Sequence, residues 1–251
     1  MLLGLVVAAL GGLIIGSLLD ALALRWVGER PLATAHFACP RCDHALARND
    51  LVPVVSWLSL RGRCRHCGEP IARRYPLVEA VTAAAFAGVV VARGDDGAEL
   101  VLGIALVCVL VPLALIDLDT RLLPNRILLP AAVVAVALGT LLDPSGEVER
   151  LLAGLVAGGF FLLTALAYPR GMGMGDVKLA FVLGLFLGRD VAAALLIALV
   201  AGVLVGVAIM RRRGVAEGRK EAIAFGPFLA LGGVLALLFG EALVDAYVRT
   251  Y

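Results

Sequence analysis

The sequence predicts an all-α polytopic membrane protein of about eight transmembrane helices, with a small cytoplasmic zinc-binding domain between the first and the second. Three observations carry that expectation. Of the 251 residues 61% are hydrophobic and the mean hydropathy is +0.99, against an apolar share of about 45–50% in soluble domains. The apolar residues gather into long segments separated by short polar ones. The basic residues are divided very unequally between alternate loops.

The apolar segments fall near residues 2–24, 76–92, 98–116, 125–142, 148–168, 177–189, 190–210 and 223–246. Several are close to the length needed to cross about 30 Å of hydrocarbon. Segment 177–189 is short and is expected to be tilted, distorted or shielded by its neighbours. The first segment could be mistaken for a secretion signal, because Ala21-Leu22-Ala23 imitates a cleavage site. No basic stretch precedes it and the run exceeds a typical signal core, so it reads as a retained span. The chain then divides into 1–24, the first membrane helix; 25–75, the only sizeable polar region; and 76–251, a membrane-embedded domain. No solenoid repeat or low-complexity tail interrupts this order.

Charge gives the orientation. Of the 22 Lys and Arg residues, nine Arg lie in region 25–75, and nine more basic residues lie in the loops on the same side, including Arg121, Arg126, Lys178 and Arg211–Arg213. Only Arg93, Arg150, Arg189 and Arg249 fall on the other side. An excess of that size marks the cytoplasmic face, so region 25–75 is cytoplasmic and both termini lie outside. The triplet Arg211–Arg213 reads as a topology anchor touching anionic lipid. The basic residues therefore serve the membrane, and no nucleic-acid partner is expected.

Within the polar region, Cys39-Pro40-Arg41-Cys42 and Cys64-Arg65-His66-Cys67 form two C-x2-C hooks with 21 residues between them. Two such hooks supply four thiolates for a tetrahedral zinc. A closed four-cysteine site leaves no open position, so the metal would be structural. Two disulfides would require an oxidising compartment, which a cytoplasmic location excludes. His44 and His66 are near in sequence, but a complete cysteine set leaves them unneeded. A polar segment of this size has little core of its own, and the metal would supply much of its folding energy. Cys108 sits in an apolar run and reads as a small buried residue.

The chemistry-bearing stretch is Gly171-Met172-Gly173-Met174-Gly175-Asp176-Val177-Lys178, a glycine-rich break with one carboxylate between apolar segments. A carboxylate beside a membrane span is costly and by default functional. The alternating glycines, Gly173 and Gly175 among them, allow another backbone to come close. Asp117, in Ile116-Asp117-Leu118-Asp119, ends the third segment as Asp176 begins the sixth, so the topology puts both at the cytoplasmic boundary. Two carboxylates held close share a proton, one acting as base and the other as acid, which activates water against an amide carbonyl without a metal. Asp119 is two residues from Asp117 and points elsewhere on a helix, toward the loop. Simpler roles exist: a helix cap for Asp176, an ion pair with Arg121 for Asp117, and pairing with Arg25 or Arg74 for Asp20 and Glu79.

Taken together these residues resemble the prepilin peptidases, or type IV leader peptidases, of the GxGD aspartic protease group. The resemblance runs through Gly16-Ser17-Leu18-Leu19, both cysteine hooks and Arg74-Tyr75-Pro76-Leu77-Val78-Glu79. It continues in Ile116-Asp117-Leu118-Asp119 with Leu123-Pro124-Asn125, then Gly173-Met174-Gly175-Asp176-Val177-Lys178 and Phe225-Gly226-Pro227-Phe228-Leu229-Ala230. It implies that Asp117 and Asp176 are catalytic, with Gly173, Gly175, Asp119 and Lys178 in support, and that Cys39, Cys42, Cys64 and Cys67 hold zinc. It implies type IV prepilins or type II secretion pseudopilins as substrates, cleaved at the cytoplasmic face of the bacterial inner membrane. It also implies N-methylation of the new N-terminus with S-adenosylmethionine as donor, an activity that goes with the cysteine domain. Two stretches depart from the usual pattern, Leu19-Asp20-Ala21 and Arg48-Asn49-Asp50-Leu51-Val52-Pro53. No S-adenosylmethionine loop of the soluble dinucleotide-fold type is present.

Two other classes fit parts of the pattern. A proton-coupled transporter would use the glycine-rich break as a hinge and the aspartates as proton carriers, but gives the cysteine module no task. A non-catalytic pilus or secretion assembly factor would use the cysteine module for docking and would not need the aspartates.

Overall fold

The computed structural model describes residues 2–28, 41–42, 44, 52–168, 171–214 and 224–248. Among them the secondary structure is helical, apart from one isolated bridge between Arg63 and Pro70. The helices are α1 (Leu2–Gly28), α2 (Val55–Ser59), α3 (Arg74–Arg93), α4 (Gly97–Thr120), α5 (Asn125–Leu142), α6 (Glu147–Ala167), α7 (Met174–Leu187), α8 (Val191–Arg213) and α9 (Gly226–Val248). They belong to two compact units, Met1–Val90 and Val91–Tyr251.

Among the described residues seven helical segments are long and apolar enough to cross a membrane, where the sequence suggests eight. The difference lies at Met174–Arg212, which covers the sixth and seventh expected segments in one run. That run is not one straight helix. Gly188, with φ +54°, ends α7, and a 3₁₀ turn over Gly188–Asp190 leads into α8. With 14 residues, α7 is about 21 Å long at 1.5 Å per residue, short of the hydrocarbon thickness, as its sequence suggests.

Local chemistry sets the other boundaries. The Asp96 carboxylate accepts from the N–H groups of Ala98 (2.8 Å) and Glu99 (3.1 Å) and caps α4, satisfying donors that a helix start leaves open. Arg121 ends α4 in the left-handed region, its N–H bonded to the Asp117 carbonyl at 2.8 Å. Between α5 and α6, the Asp143 carboxyl accepts from Ser145, Arg150 and Gly146. Those donors hold its pKa down at about 2. Buried Arg150 also donates to Glu147 and to the Gly139 and Asp143 carbonyls, tying the ends of α5 and α6 together.

In the second unit α6 packs on α7, α8 on α9, and α4 on α5 and α9, while α7 also meets α5. The core takes Leu106, Leu110 and Leu113 from α4, Phe161 from α6, Leu179 and Leu183 from α7, and Leu229 from α9. The outward faces of α5, α6 and α8 are also apolar, with Leu129, Val133, Leu155, Val156, Leu163, Leu196 and Val203 exposed. Such continuous apolar surface suits lipid and not water. This is a multi-pass membrane protein.

Between lipid-facing helices, attraction comes from close packing. The α6–α7 crossing is close because glycines meet there. A Cβ on Gly184 would lie 2.5 Å from Gly154 Cα, and one on Gly158 would lie 2.9 Å from Phe181 Cβ. Gly154 and Gly158 thus form a small-residue stripe on α6 facing α7. In the first unit Gly12 and Gly16 of α1 serve α3 similarly, a Cβ on Gly12 meeting Ala83 Cα at 2.6 Å. There too Arg74 pairs with buried Asp20 at 3.0 Å, and Glu79 accepts from the Val54 N–H at 2.7 Å. The Asp20–Arg74 pair is one of those the sequence allows; Glu79 takes a backbone partner.

Gly184→Ala should therefore cost about 1–3 kcal/mol, the usual penalty for forcing a methyl into a tight contact. Thermal unfolding of the purified protein in detergent checks this. Gly159→Ala, with open space at its Cβ, is the control and should leave the midpoint unchanged.

Candidate active site

Asp117 lies in the last turn of α4 and is 5% exposed. Its position follows from the apolar register of α4, in which Leu106, Leu110, Leu113 and Ile116 are buried and Asp117 follows on the same inward face. A buried carboxylate needs donors. The Gly226 N–H supplies one to Asp117 Oδ2 at 2.8 Å, at the first residue of α9. No other residue type fits so closely, since a Cβ on Gly226 would lie 2.7 Å from that oxygen. Among the described residues Asp117 makes no ion pair; Arg121 reaches it only through the backbone.

Asp176 is the third residue of α7 and is partly buried. Its Oδ2 accepts from the Gly173 N–H at 3.3 Å, so it closes the helix start from the inside, and Gly173 is the cap residue. The capping role that the sequence allows for Asp176 is thus present, but at the third helical position. A carboxylate there is also favoured by the helix dipole. Asp176 and Asp117 lie within electrostatic range of each other. Residues 59 positions apart, on α4 and α7, are thereby brought into one site.

The connection between α4 and α5 forms one wall. A Cβ on Gly175 would lie 2.8 Å from Leu123 Cβ, so this glycine lets α7 sit directly on the connection. Lys178 Nζ donates to Asn125 Oδ1 at 2.8 Å and joins α7 to the start of α5. Asp119 is exposed, two residues beyond Asp117 at the end of α4. Asn125, Leu123 and Gly226 are site residues that the sequence reading left without a role. Leu123, Asn125 and Gly226 stand in the Leu123-Pro124-Asn125 and Phe225-Gly226-Pro227 stretches, which was the available signal.

In the other unit, the sulfurs of Cys42, Cys64 and Cys67 lie within 4.8 Å of one another. Cys39 lies outside the described residues. The second hook is a formed turn: Gly68, with φ +71°, donates its N–H to the Cys64 carbonyl at 3.0 Å, and the Cys64 N–H bonds the Glu69 carbonyl at 2.8 Å. Trp57 of α2 donates to the Ile71 carbonyl at 3.2 Å and packs on Gly62, which holds the strand of chain carrying Cys64. Three converging sulfurs fit a tetrahedral zinc, whose bonds to sulfur are about 2.3 Å. The His44 and His66 rings lie against each other, with centroids 3.5 Å apart, and are not among the converging donors.

Residues 10–93 match the bacterial peptidase A24 N-terminal domain, and residues 104–209 match the type IV leader peptidase family. A prepilin leader peptidase/N-methyltransferase of Burkholderia pseudomallei is 39% identical over 217 residues, covering 83% of this chain and 69% of the relative. One from Aeromonas hydrophila is 35% identical over 236 residues, with 90% and 79% covered. One from Bacillus subtilis is 32% identical over 240 residues, with 95% of both covered. No solved structure matches the chain. With both halves matched and a relative of 32% identity covered over 95% of its length, the chain belongs to the type IV leader peptidase family.

Proposed function

We propose that this chain cleaves the leader of type IV prepilins or type II secretion pseudopilins at the cytoplasmic membrane face and N-methylates the new N-terminus. The observation that supports the reading is that Asp117 and Asp176 lie within electrostatic range of each other, each accepting from a glycine N–H at a helix start. The relatives' printed names carry the substrate class and the second activity. Membership of this family gives the transporter and assembly-factor readings no support.

The reaction follows from the dyad. Two carboxylates at short range hold one proton between them. The ionised one takes a proton from a water molecule as the water oxygen attacks the scissile carbonyl carbon. The protonated one hydrogen-bonds the carbonyl oxygen as it gains charge. Collapse of the tetrahedral adduct breaks the C–N bond, and the leaving nitrogen takes a proton from the dyad. Gly226 and Gly173 hold the carboxylates without cations, so the shared proton is not expelled. Lys178 and Asn125 position α7, and Asp119 faces the loop.

Cys42, Cys64 and Cys67, with Cys39, would hold a structural zinc that orders region 25–75. Methyl transfer belongs to residues 10–93, the part matched by the N-terminal domain. S-adenosylmethionine would supply the methyl group to the amine that cleavage releases.

Asp117→Asn and Asp176→Asn should each lower leader cleavage by about 10²–10⁴-fold, the range of acid–base contributions, with the protein still folded. Mass spectrometry of a prepilin after incubation reads this, and full cleavage by either variant would sink the dyad. Gly226→Ala should lower cleavage by about tenfold or more at unchanged substrate binding, because the methyl displaces Asp117 Oδ2. Metal analysis should find one zinc per chain, and Cys64→Ser should lose it together with methylation while retaining cleavage. Methylation that persists without bound zinc would separate the metal from that activity.

A further inference from the structure

Glu79 is a buried carboxylate that the cleavage reaction does not use. It lies in the second turn of α3 and is 7% exposed. A carboxylate in that setting is costly unless donors meet it. Two neutral donors do. The Val54 N–H reaches Glu79 Oε2 at 2.7 Å, and the Ser17 hydroxyl of α1 bonds the same carboxylate. Gly16 makes the second contact possible. A Cβ there would lie 3.1 Å from Glu79 Cα and 2.9 Å from Thr82 Oγ1, so α1 sits directly on α3 at this level.

The backbone donor is strained. Val54 has φ +58° and ψ −49°. Residues with a Cβ rarely adopt positive φ, and β-branched ones least of all. Such a conformation persists only where the surroundings impose it, and it gathers at functional positions. Val54 also begins the segment that carries the second cysteine hook. Its carbonyl accepts from the Leu58 N–H at 3.0 Å at the start of α2. Trp57 of α2 donates to the Ile71 carbonyl at 3.2 Å, and the Ile71 N–H returns to the Gly62 carbonyl at 2.7 Å. Arg63 and Pro70 pair on either side of Cys64 and Cys67. Residues 54–71 are therefore tied into one piece. That piece meets α3 through residues 72–73 of the chain and again, through the Val54 N–H, at Glu79. A covalent connection alone leaves a pivot, and the second attachment removes it.

Two locally unfavourable features, a buried carboxylate and a positive-φ valine, thus meet in one hydrogen bond. Breaks in local consistency of that kind mark functional sites. Stability alone would be served as well by an apolar pair in their place. The bond lies within the Met1–Val90 unit, which holds neither Asp117 nor Asp176. We propose that Glu79 is a positioning residue for methyl transfer, fixing the cysteine-bearing segment 54–71 on α1 and α3 through the Val54 N–H. The proposal rests on the assignment of methyl transfer to residues 10–93.

The test uses the full chain in nanodiscs with a prepilin and S-adenosylmethionine, and mass spectrometry reads leader loss and methyl gain separately. Glu79→Ala should lower kcat for methylation by about 10²-fold, the scale of a misplacement of about 1 Å. The KM for S-adenosylmethionine, leader cleavage and zinc content should stay unchanged. Glu79→Gln keeps an oxygen for the Val54 N–H at the same reach and should restore most of the methylation. Glu79→Asp keeps the charge but falls one methylene short, and should remain impaired. Where Glu79→Ala does not fold, the comparison of Glu79→Asp with Glu79→Gln decides. Methylation by Glu79→Asp at or above that of Glu79→Gln overturns the proposal, and so does wild-type methylation by Glu79→Ala. A rise in KM alone overturns it by assigning the carboxylate to cofactor binding. Loss of cleavage or zinc together with methylation in Glu79→Asp overturns it by assigning the carboxylate to folding. A wild-type chain that cleaves but never methylates overturns the assignment of residues 10–93, and this proposal with it.

Discussion

Carboxylates at the apolar boundary of a helix bundle persist only where something donates to them, and here the donors are backbone N–H groups. Asp117 takes its hydrogen bond from Gly226 and Asp176 from Gly173. An arginine or lysine in either place would hold the carboxylate ionised and remove it from proton transfer. The nearby cations are directed elsewhere: Lys178 bonds Asn125, and Arg121 offers Asp117 only its backbone N–H. A backbone donor stabilises a buried oxygen without that consequence, and a helix start presents one already aimed. The glycines follow, since at Gly226 a side chain would occupy the oxygen's place.

The other end of the same bundle shows the opposite solution. There Arg93 joins the end of α3 to Glu99 on α4, to Asp190 after α7, and to Leu237 and Glu241 on α9. Arg150 closes α5 against α6. Buried ion pairs of this kind are strongly destabilising when one partner is removed, so they tie helix ends together effectively. One sequence therefore uses charged latches where helix ends are tied together and cation-free backbone donors at Asp117 and Asp176.

Much of this was legible from composition and spacing. The apolar segments lie within a few residues of the helices, because a lipid-facing helix needs an uninterrupted apolar run. Asp117 and Asp176 stood out because a carboxylate beside such a run is costly, although a helix cap was a simpler role open to Asp176. The converging cysteines were legible from their two hooks, with Cys39 outside the described residues. Other features left weaker signals. A backbone donor has no side chain to read, so Gly226 appeared only as part of a Phe-Gly-Pro stretch. The fourfold role of Arg93 depends on residues up to 148 positions away, and no local pattern announces that.

Position matters as much as chemistry in a two-carboxylate site, since a displacement of about 1 Å can cost 10²-fold in rate. Asp176 stands next to a glycine-rich connection, which by itself would place it loosely. Yet α7 is held from two sides. Gly184 lets it press against the α6 backbone at Gly154, and Gly175 lets it press against Leu123 in the α4–α5 connection. The Lys178–Asn125 bond adds a directional link next to that second contact. These contacts fix the helix, and the Gly173 N–H then fixes the carboxylate on its first turn. The glycines of α7 are therefore the source of its rigidity: by removing side chains they bring backbones into direct contact, and the position of Asp176 is set by the scaffold and not by the loop.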